Sequence, residues 1–194
     1  MDQPNSSRAE QVAELQRLSG SALASAFAPR QDHEEALLFG HQCHPGCIAC
    51  REKAQGGLGL RFQPDGIAGV YGFFRCDSEY QGYPDRLHGG IIALALDAAM
   101  THCLFFRQAQ AVTAKLEIRY RRPVCIDDVL EVRARVDSKR GSIYKLSAEA
   151  RQGTSVCVTA TAIFVDLARS KKPQGAAHRG TQNGPLEPPP CGGV

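Results

Sequence analysis

One nearly unbroken apolar segment limits what this chain can fold into more than any other feature. Residues 89–107 read GGIIALALDAAMTHCLFFR, and apolar side chains fall on almost every side of a helix drawn through them. A helix that is apolar all round has to be buried on most sides. The run from Ile91 to Phe106 is short for a membrane span and contains Asp97 and His102, so we predict the central helix of a folded domain.

The segments on both sides of this helix have the pattern of β-strands. Before it, Leu58–Gln63 and Ile67–Cys76 are rich in apolar and β-branched residues. After it, apolar and polar residues alternate over four segments, at 112–121, 129–136, 142–151 and 155–165. In the first of these, Thr113, Lys115 and Glu117 fall on the polar side. Such alternation is typical of antiparallel strands, and we predict an α+β fold in which an antiparallel sheet of about six strands wraps around one long buried helix.

The two ends of the chain differ from this middle part. A short amphipathic helix is predicted from Ser7 to about Leu18, whereas residues 20–40 are ambiguous. From Arg169 onward the sequence is rich in Pro, Gly and charge, and we predict a disordered tail. We therefore expect an N-terminal extension with a cysteine-rich turn over 1–56, one folded domain over 57–168 and the tail over 169–194.

Length and charge exclude several broad classes of protein. A chain of 194 residues with 22% charged and 43% apolar residues is long enough for one domain with a full core. The net charge of +3 is too small to suggest nucleic acid or a membrane surface as a partner. The first residues lack the basic and apolar segments of a secretory signal, so we expect a cytoplasmic protein.

The His88-Gly89-Gly90 motif at the start of the helix suggests where chemistry could take place. A helix N-terminus presents free N–H groups and partial positive charge, and glycines let a ligand approach the backbone closely. These features suit an oxyanion hole for acyl transfer, although tight packing of helix on sheet explains the glycines equally well. Asp97 is the second candidate, because a carboxylate in a buried helix is either paired or functional. Its structural alternative is a hydrogen bond to a neighbouring strand hydroxyl.

The spacing of these two candidates has a geometric consequence. Asp97 lies eight residues after Gly89. At a rise of about 1.5 Å per residue, the two positions are roughly 12 Å apart along the helix. A single ester or thioester carbonyl therefore cannot touch both within one chain. If both act in catalysis, two antiparallel copies of the helix face each other and the site lies across a two-fold dimer.

In three segments the sequence resembles the hot-dog-fold thioesterase superfamily, in the branch of phenylacetate-pathway and THEM-like acyl-CoA thioesterases. The segments are GYPDRLHGGIIALALDAAM at 82–100, VTAKLEIRYRRPV at 112–124 and ATAIFVDL at 160–167. The combination of HGG, an Asp nine residues after the His and a strand ending in Arg-Pro is specific, whereas HGG alone is not. The resemblance implies a hot-dog fold and hydrolysis of an acyl-CoA to free acid and coenzyme A.

The resemblance also implies roles for individual residues. The Gly89 N–H would polarise the thioester carbonyl, and Asp97 would act as the nucleophile or as the general base that activates water. Thr113 would orient water or the carboxylate, and His88 would shape the pocket. A homodimer is implied, often paired into a dimer of dimers. Coenzyme A enters as part of the substrate, so no cofactor is expected.

The residues around the HGG motif are expected to contact the substrate. Gly90 belongs to the motif itself. Some relatives carry Asn or Gln six residues before the His, as a polar helper that positions the substrate. This chain has Gly82 at that position, between Gln81 and Tyr83. The polar helper is therefore absent or supplied by Gln81.

Cationic residues near the site are candidates for binding the phosphates of coenzyme A. Phosphates need Lys or Arg at the rim of a site. Arg122 follows the first strand after the helix, and Lys139 and Arg140 lie in a DSKRGS turn. Each could equally be a solvated surface charge.

The segment HQCHPGCIAC, which begins at His41, suggests a competing site. Cys43, Cys47 and Cys50 have the spacing of a radical-SAM iron–sulfur cluster, but no repeated strand–helix units follow. His41 or His44 could complete a four-ligand zinc site, although only one ligand pair is clear. We expect no metal here and interpret the cysteines as small buried residues in a turn, with a redox pair as a further alternative.

Three other functions stay open. A hot-dog module could bind or sense acyl-CoA without hydrolysing it, and tight binding without turnover would identify such a module. An enoyl-CoA hydratase uses an Asp–His pair that Asp97 and His102 loosely mimic. A metal-dependent module centred on 43–50 would contain a stoichiometric metal.

Overall fold

The computed structural model describes residues 34–66 and 69–167. Within these ranges the chain forms two α-helices and six β-strands. The helices are α1 (Glu34–Cys43) and α2 (Gly89–Phe105). The strands are β1 (Gln63–Asp65), β2 (Gly69–Arg75), β3 (Ala111–Tyr120), β4 (Val129–Arg140), β5 (Ile143–Gln152) and β6 (Ser155–Asp166). Short 3-10 turns lie at Lys53–Gln55 and Ser78–Tyr80.

The six strands form one antiparallel sheet in the order β1-β2-β4-β5-β6-β3. Hairpins connect β4, β5 and β6, whereas β3 pairs with β6 at the far edge. Between β2 and β3 the chain crosses the sheet as α2, which packs against β2, β3, β4 and β5. The predicted architecture of an antiparallel sheet around one long helix is confirmed.

Helix α2 forms because its sequence combines an N-terminal cap with strong helix formers. The His88 side chain accepts a hydrogen bond from the Gly90 N–H, and Ala and Leu are frequent in the turns that follow. Burial of each large apolar side chain contributes about 1.5–3 kcal/mol. The buried positions of the helix are Ile92, Ala95, Leu96, Ala98, Ala99, Met100, His102, Cys103, Leu104 and Phe105.

One stripe of α2 is not covered by the sheet. Ala93, Leu94, Asp97 and Thr101 recur at helical spacing and are only partly buried. Asp97 therefore does not lie in a closed core, although a helix that is apolar nearly all round suggests such a position. The helix is buried on most sides, and the side that it leaves open carries the carboxylate.

The first predicted strand is mostly not a strand. The sequence predicts it at Leu58–Gln63, whereas β1 covers Gln63–Asp65. The N–H groups of Leu58 and Leu60 instead donate to backbone carbonyls of the turn at 48–49, both at 2.9 Å. Both leucines are buried, which explains their apolar pattern. The burial implied by the sequence is correct, but the hydrogen-bond partner is a turn rather than the sheet.

Helix α1 lies in a segment whose sequence pattern is ambiguous. It packs against the end of α2, where the Phe39 and Phe105 rings lie edge to face with their centres 6.0 Å apart. The Phe105 ring also lies close over Gly40, where a Cβ would approach it to 2.9 Å. Ala49, in the turn that follows α1, is part of the hydrophobic core. The described part of this segment, residues 34–55, is thus packed against the rest of the structure.

Some predictions fall outside the described residues. They concern the helix at 7–18, the tail at 169–194 and the first residues of the strand predicted from Ile67. The domain boundaries after 56 and 168 stay predictions. Over the two described ranges, no helix is long and apolar enough to cross a membrane.

Candidate active site

The N-terminus of α2 presents a backbone N–H that is open to a ligand. His88 caps the helix, because its Nδ1 accepts a hydrogen bond of 2.9 Å from the Gly90 N–H. The His88 carbonyl accepts hydrogen bonds from Ile91 and Ile92. Among the described residues, the Gly89 N–H donates to no acceptor. Since a helix N-terminus carries partial positive charge, this N–H can stabilise a carbonyl oxygen that develops negative charge.

Asp97 is held by a hydroxyl of the neighbouring strand. The Thr113 Oγ1 donates to the Asp97 Oδ1 at 2.7 Å, a length typical of a hydrogen bond to a carboxylate. Thr113 is exposed and Asp97 is partly buried. A hydrogen bond to a strand hydroxyl is also what a purely structural Asp97 would make, so this bond alone does not indicate catalysis. Its position on the uncovered side of α2 adds access for a reactant.

A β-bulge in β3 puts Thr113 on the helix side of the sheet. Alternation in the sequence places Thr113 on the polar side, together with Lys115. In the structure Thr113 pairs with Phe164 and Lys115 pairs with Ile163, so Ala114 is an extra residue. Phe164 is fully buried, and Thr113 lies opposite it on the same side of the sheet. The bulge therefore aims the hydroxyl at α2.

Tyr120 contacts the start of α2, a role that the sequence does not predict. Its hydroxyl donates to the Gly89 carbonyl oxygen at 2.8 Å. Its ring lies 3.6 Å from the place that a Cβ on Gly89 would occupy. Partial burial raises the pKa of Tyr120, so the phenol stays a donor. Alternation does place Tyr120 on the apolar side of its strand, but an aromatic residue there is more often part of a core.

The two halves of the site lie apart on one chain. Gly89 and Asp97 are separated by eight positions of α2, which corresponds to about 12 Å. Strand β3 contacts one half through Tyr120 and the other through Thr113. It is the last strand of the sheet, and in the described chain its outer edge pairs with no other strand. An open strand edge thus runs beside both halves.

The loop before α2 is closed by its own hydrogen bonds. The Gln81 Oε1 accepts from the Asp85 N–H at 3.0 Å. A Cβ at Gly82 would lie 3.2 Å from His88, so this position has little room for an Asn or Gln side chain. Tyr83 is 82% exposed. Of the predicted substrate contacts in this loop, Tyr83 offers an accessible surface, whereas the amide oxygen of Gln81 is engaged.

The structure separates the cations predicted to bind phosphate. Arg122 lies beside the start of β6, where its Nη1 donates to the Ser155 Oγ at 3.2 Å. Lys139 and Arg140 end β4 at the opposite end of the sheet, and Lys139 pairs with Asp166 at 3.9 Å. The 12 residues of β6 span the distance between these two groups, roughly 36 Å. Within one chain they cannot bind the same phosphate.

His102 is a packing residue rather than a part of this site. It is buried, and its ring centre lies 4.9 Å from that of Phe62 and 5.3 Å from that of Phe105. Its Nε2 lies 3.2 Å from the Cys50 Sγ. His102 follows Asp97 by five residues, which turns it about 140° around the helix axis. The Asp–His pair of a hydratase is therefore not assembled in this chain.

The cysteine-rich turn is the competing site suggested by the sequence. Cys43, Cys47 and Cys50 are free thiols, and each is partly buried. Over the described part of the chain, no group of three or more His, Cys, Asp or Glu residues is arranged to hold a metal ion. The His41 side chain lies outside the described part. The turn presents thiols rather than an assembled set of ligands.

Comparison with known proteins decides which family the chain resembles. Residues 85–159 match the sequence model of the Thioesterase superfamily. The resemblance to hot-dog thioesterases is confirmed. The matched segment contains Gly89, Asp97, Thr113 and Tyr120.

A curated thioesterase is similar to the chain over a longer segment. The acyl-coenzyme A thioesterase THEM4 of Bos taurus is 28% identical to it over 137 residues. The match covers 63% of this chain and 56% of the bovine protein. The chain thus spans little more than half the length of that relative.

Solved structures show the same fold. A hypothetical thioesterase protein from Streptococcus pneumoniae TIGR4, solved with coenzyme A, has a TM-score of 0.53 at 15% identity over 56% of this chain and 88% of its own. The PaaI protein of E. coli, from the phenylacetic acid degradation operon, has a TM-score of 0.56 at 16% identity over 70% of this chain and 95% of its own. The predicted hot-dog fold is confirmed by these similarities.

Proposed function

We propose that this chain is an acyl-CoA thioesterase that hydrolyses an acyl-CoA to the free acid and coenzyme A. The Thr113–Asp97 pair carries the proposal, because it lies on the uncovered side of the helix that begins with the open Gly89 N–H. Hydrolysis of a thioester needs a group that attacks or activates water and a donor for the developing oxyanion. An accessible carboxylate and an accessible N–H at a positive helix end supply both.

The relatives support the same reaction class. The bovine relative is named an acyl-CoA thioesterase, and the pneumococcal structure is described with coenzyme A. Two further structures of the pneumococcal protein carry alanine in place of an aspartate and in place of a threonine sixteen positions later. Asp97 and Thr113 are also sixteen positions apart. The same residue types at the same separation support assigning this pair to the site.

In the proposed reaction, the thioester carbonyl oxygen accepts a hydrogen bond from the Gly89 N–H. Asp97 either attacks the carbonyl carbon itself or removes a proton from an attacking water. Both routes form a C–O bond, break the C–S bond and consume one water, and the sulfur leaves as the protonated thiol of coenzyme A. Thr113 orients the carboxylate, while Tyr120 holds the helix end through the Gly89 carbonyl. Recovery of ¹⁸O from labelled water in the Asp97 carboxylate would identify the nucleophilic route.

The proposed site lies across a homodimer. Gly89 and Asp97 are about 12 Å apart on one helix, so one carbonyl cannot contact both within a chain. The open edge of β3 lies beside both halves through Thr113 and Tyr120. Pairing of this edge with its copy about a two-fold axis would complete the sheet and bring Gly89 of one protomer toward the carboxylate of the other. Dimers of dimers and a cytoplasmic location stay predictions.

The test is cleavage of short, long and aromatic acyl-CoAs by wild type and by Asp97→Asn. Loss of thioester absorbance is followed, because the chain has eight cysteines of its own, whose accessible thiols would add to the signal of a thiol reagent. We expect kcat to fall by about 10²- to 10⁴-fold, the range for loss of a general base. The matched control is Asp137→Asn on the polar side of the sheet, where that carboxylate accepts from Arg135 and Ser147. The control is expected to keep the wild-type rate.

Other outcomes of this test identify other functions. Wild-type activity in Asp97→Asn would show that Asp97 is structural rather than catalytic. Tight binding of acyl-CoA by the wild type, with no turnover of any substrate, would identify a binding or sensing module. Conversion of an enoyl-CoA to a hydroxyacyl-CoA without release of coenzyme A would identify a hydratase, for which His102 is poorly placed.

A further inference from the structure

We propose that Cys47 and Cys50 form a dithiol site, which a low-molecular-weight disulfide oxidises to an intramolecular disulfide. The site lies in the turn between α1 and β1, apart from the Asp97–Thr113 pair. It does not depend on the proposed thioesterase reaction.

The backbone holds the two cysteines one turn apart. The Cys50 N–H donates to the Cys47 carbonyl at 3.1 Å, and the Arg51 N–H donates to the same oxygen at 2.9 Å. A four-residue turn of this kind keeps its first and last Cα atoms within about 7 Å, and disulfides bridge Cα atoms about 4.4–6.8 Å apart. The two thiols are close enough for Cys47 to contribute to the raised pKa of Cys50. The turn can therefore accept a disulfide without unfolding.

The two thiols have different surroundings. Cys47 is partly buried in the turn. Burial, with a smaller contribution from the neighbouring Cys47, raises the pKa of Cys50 to about 12. The Cys50 Sγ lies 3.2 Å from the Nε2 of His102, which is buried in α2. Thiol–disulfide exchange needs one thiol that attacks and a second thiol that resolves the intermediate, and the contact with His102 assigns the second role to Cys50.

The exchange proceeds in two steps. The Cys47 thiolate attacks one sulfur of the external disulfide, forms a mixed disulfide and releases one thiolate. Cys50 then transfers its proton to His102 Nε2 and attacks the Cys47 sulfur, which forms the Cys47–Cys50 bond and releases the second thiolate. The two cysteines lose two electrons and two protons in total, and the external disulfide takes them up as two thiols.

The other described cysteines do not offer such a pair. Three are buried in the core and one is exposed elsewhere; they are Cys76, Cys103, Cys157 and Cys125. Cys43 ends α1, four residues before Cys47. It is the cysteine nearest to the pair in sequence, and its removal is the matched control.

The test exposes the folded protein to mixtures of reduced and oxidised glutathione. Samples are quenched in acid, free thiols are alkylated and peptides are mapped by mass spectrometry. In wild type and in Cys43→Ser, we expect a Cys47–Cys50 disulfide that reduced glutathione reverses. In Cys50→Ser, a glutathione adduct should persist on Cys47. In His102→Gln, resolution of that adduct should slow by at least about tenfold if the imidazole accepts the proton.

Three results would overturn the proposal. They are persistence of both thiols under conditions that modify the exposed Cys125, a lasting glutathione adduct on Cys47 in wild type, and a disulfide that includes Cys43. The peptide map of the oxidised wild-type protein alone decides between these outcomes. A variant that fails to fold therefore does not affect the conclusion. Acyl-CoA turnover is not part of the readout, and failure of either proposal is therefore distinguishable from failure of the other.

Discussion

Replacing Thr113 by Val is expected to slow acyl-CoA hydrolysis while leaving the fold intact. The substitution keeps the branched shape of the side chain and removes the hydroxyl that donates to Asp97 at 2.7 Å. The carboxylate then loses the contact that orients it toward the open side of α2. Because Thr113 is exposed at a sheet edge, the free energy of unfolding should change by only about 0.5 kcal/mol.

The size of the kinetic effect follows from the kind of hydrogen bond that is lost. Hydrogen bonds to charged groups contribute about 1.5–3 kcal/mol, and about 1.4 kcal/mol corresponds to a tenfold change in rate. Complete loss would therefore lower kcat/KM by roughly 10- to 100-fold. Thr113 and Asp97 are both accessible to water, which can replace part of the lost contact. We expect a value near the lower end, about tenfold.

The assay compares kcat and KM of wild type, Thr113→Val and Thr113→Ser on the same acyl-CoA, together with thermal unfolding. Thr113→Ser retains the hydroxyl and should recover most of the rate. Thr161→Ala, an exposed threonine on the neighbouring strand, controls for the loss of a hydroxyl elsewhere on the sheet. If Thr113→Val keeps the wild-type kcat while Asp97→Asn is inactive, the hydrogen bond does not position the carboxylate and our interpretation of the pair is wrong.

Three further predictions concern the helix start, the preceding loop and the buried thiols. Gly89→Ala should fold, because its Cβ would make an ordinary 3.6 Å contact with Tyr120. A methyl group beside the open N–H should nevertheless lower kcat about tenfold or more. A wild-type kcat in this variant would argue against that N–H as the oxyanion donor. Gly82→Asn should reduce kcat/KM, because its Cβ would lie 3.2 Å from the capping His88; higher activity would show that the loop has room for a polar helper. The free energy of unfolding, measured in urea, should fall as the pH rises above about 9, since the unfolded chain ionises its thiols first; a flat profile up to about pH 11 would contradict this. The thiols concerned, whose pKa burial raises from 9.0 to about 12, are Cys50, Cys76 and Cys103.

Periodicity predicts the central helix and most of the sheet because the buried side chains of these elements recur regularly along the sequence. The apolar run of α2 and the alternation in β5 and β6 each persist for ten or more residues, and the alternation in β4 covers 129–136. The segment that begins at Leu58 is different, because its apolar residues are buried without sheet pairing. A pattern of burial alone cannot distinguish hydrogen bonds to a turn from hydrogen bonds to a strand.

The sequence indicates the candidate residues of the site, but not the contacts by which the structure brings them together. Gly89 and Asp97 follow from the motif and from the presence of a carboxylate in an apolar helix. Thr113 came from family resemblance, since alternation puts it on the wrong side of β3 and only the extra residue at Ala114 brings it to the helix. A one-residue bulge leaves polar and apolar residues alternating in sequence, so periodicity does not reveal it. Tyr120 was missed because its hydrogen bond to Gly89 depends on how β3 crosses the helix.

The separation of Gly89 and Asp97 along one helix has a genetic consequence. In the proposed dimer, each chain gives its Gly89 to one site and its Asp97 to the other. Two inactive alleles, one defective at Gly89 and the other at Asp97, would then complement each other when expressed together. Half of the randomly assembled dimers would be mixed, each with one intact site, so about a quarter of the wild-type activity would return. Two alleles that are both defective at Asp97 would restore none.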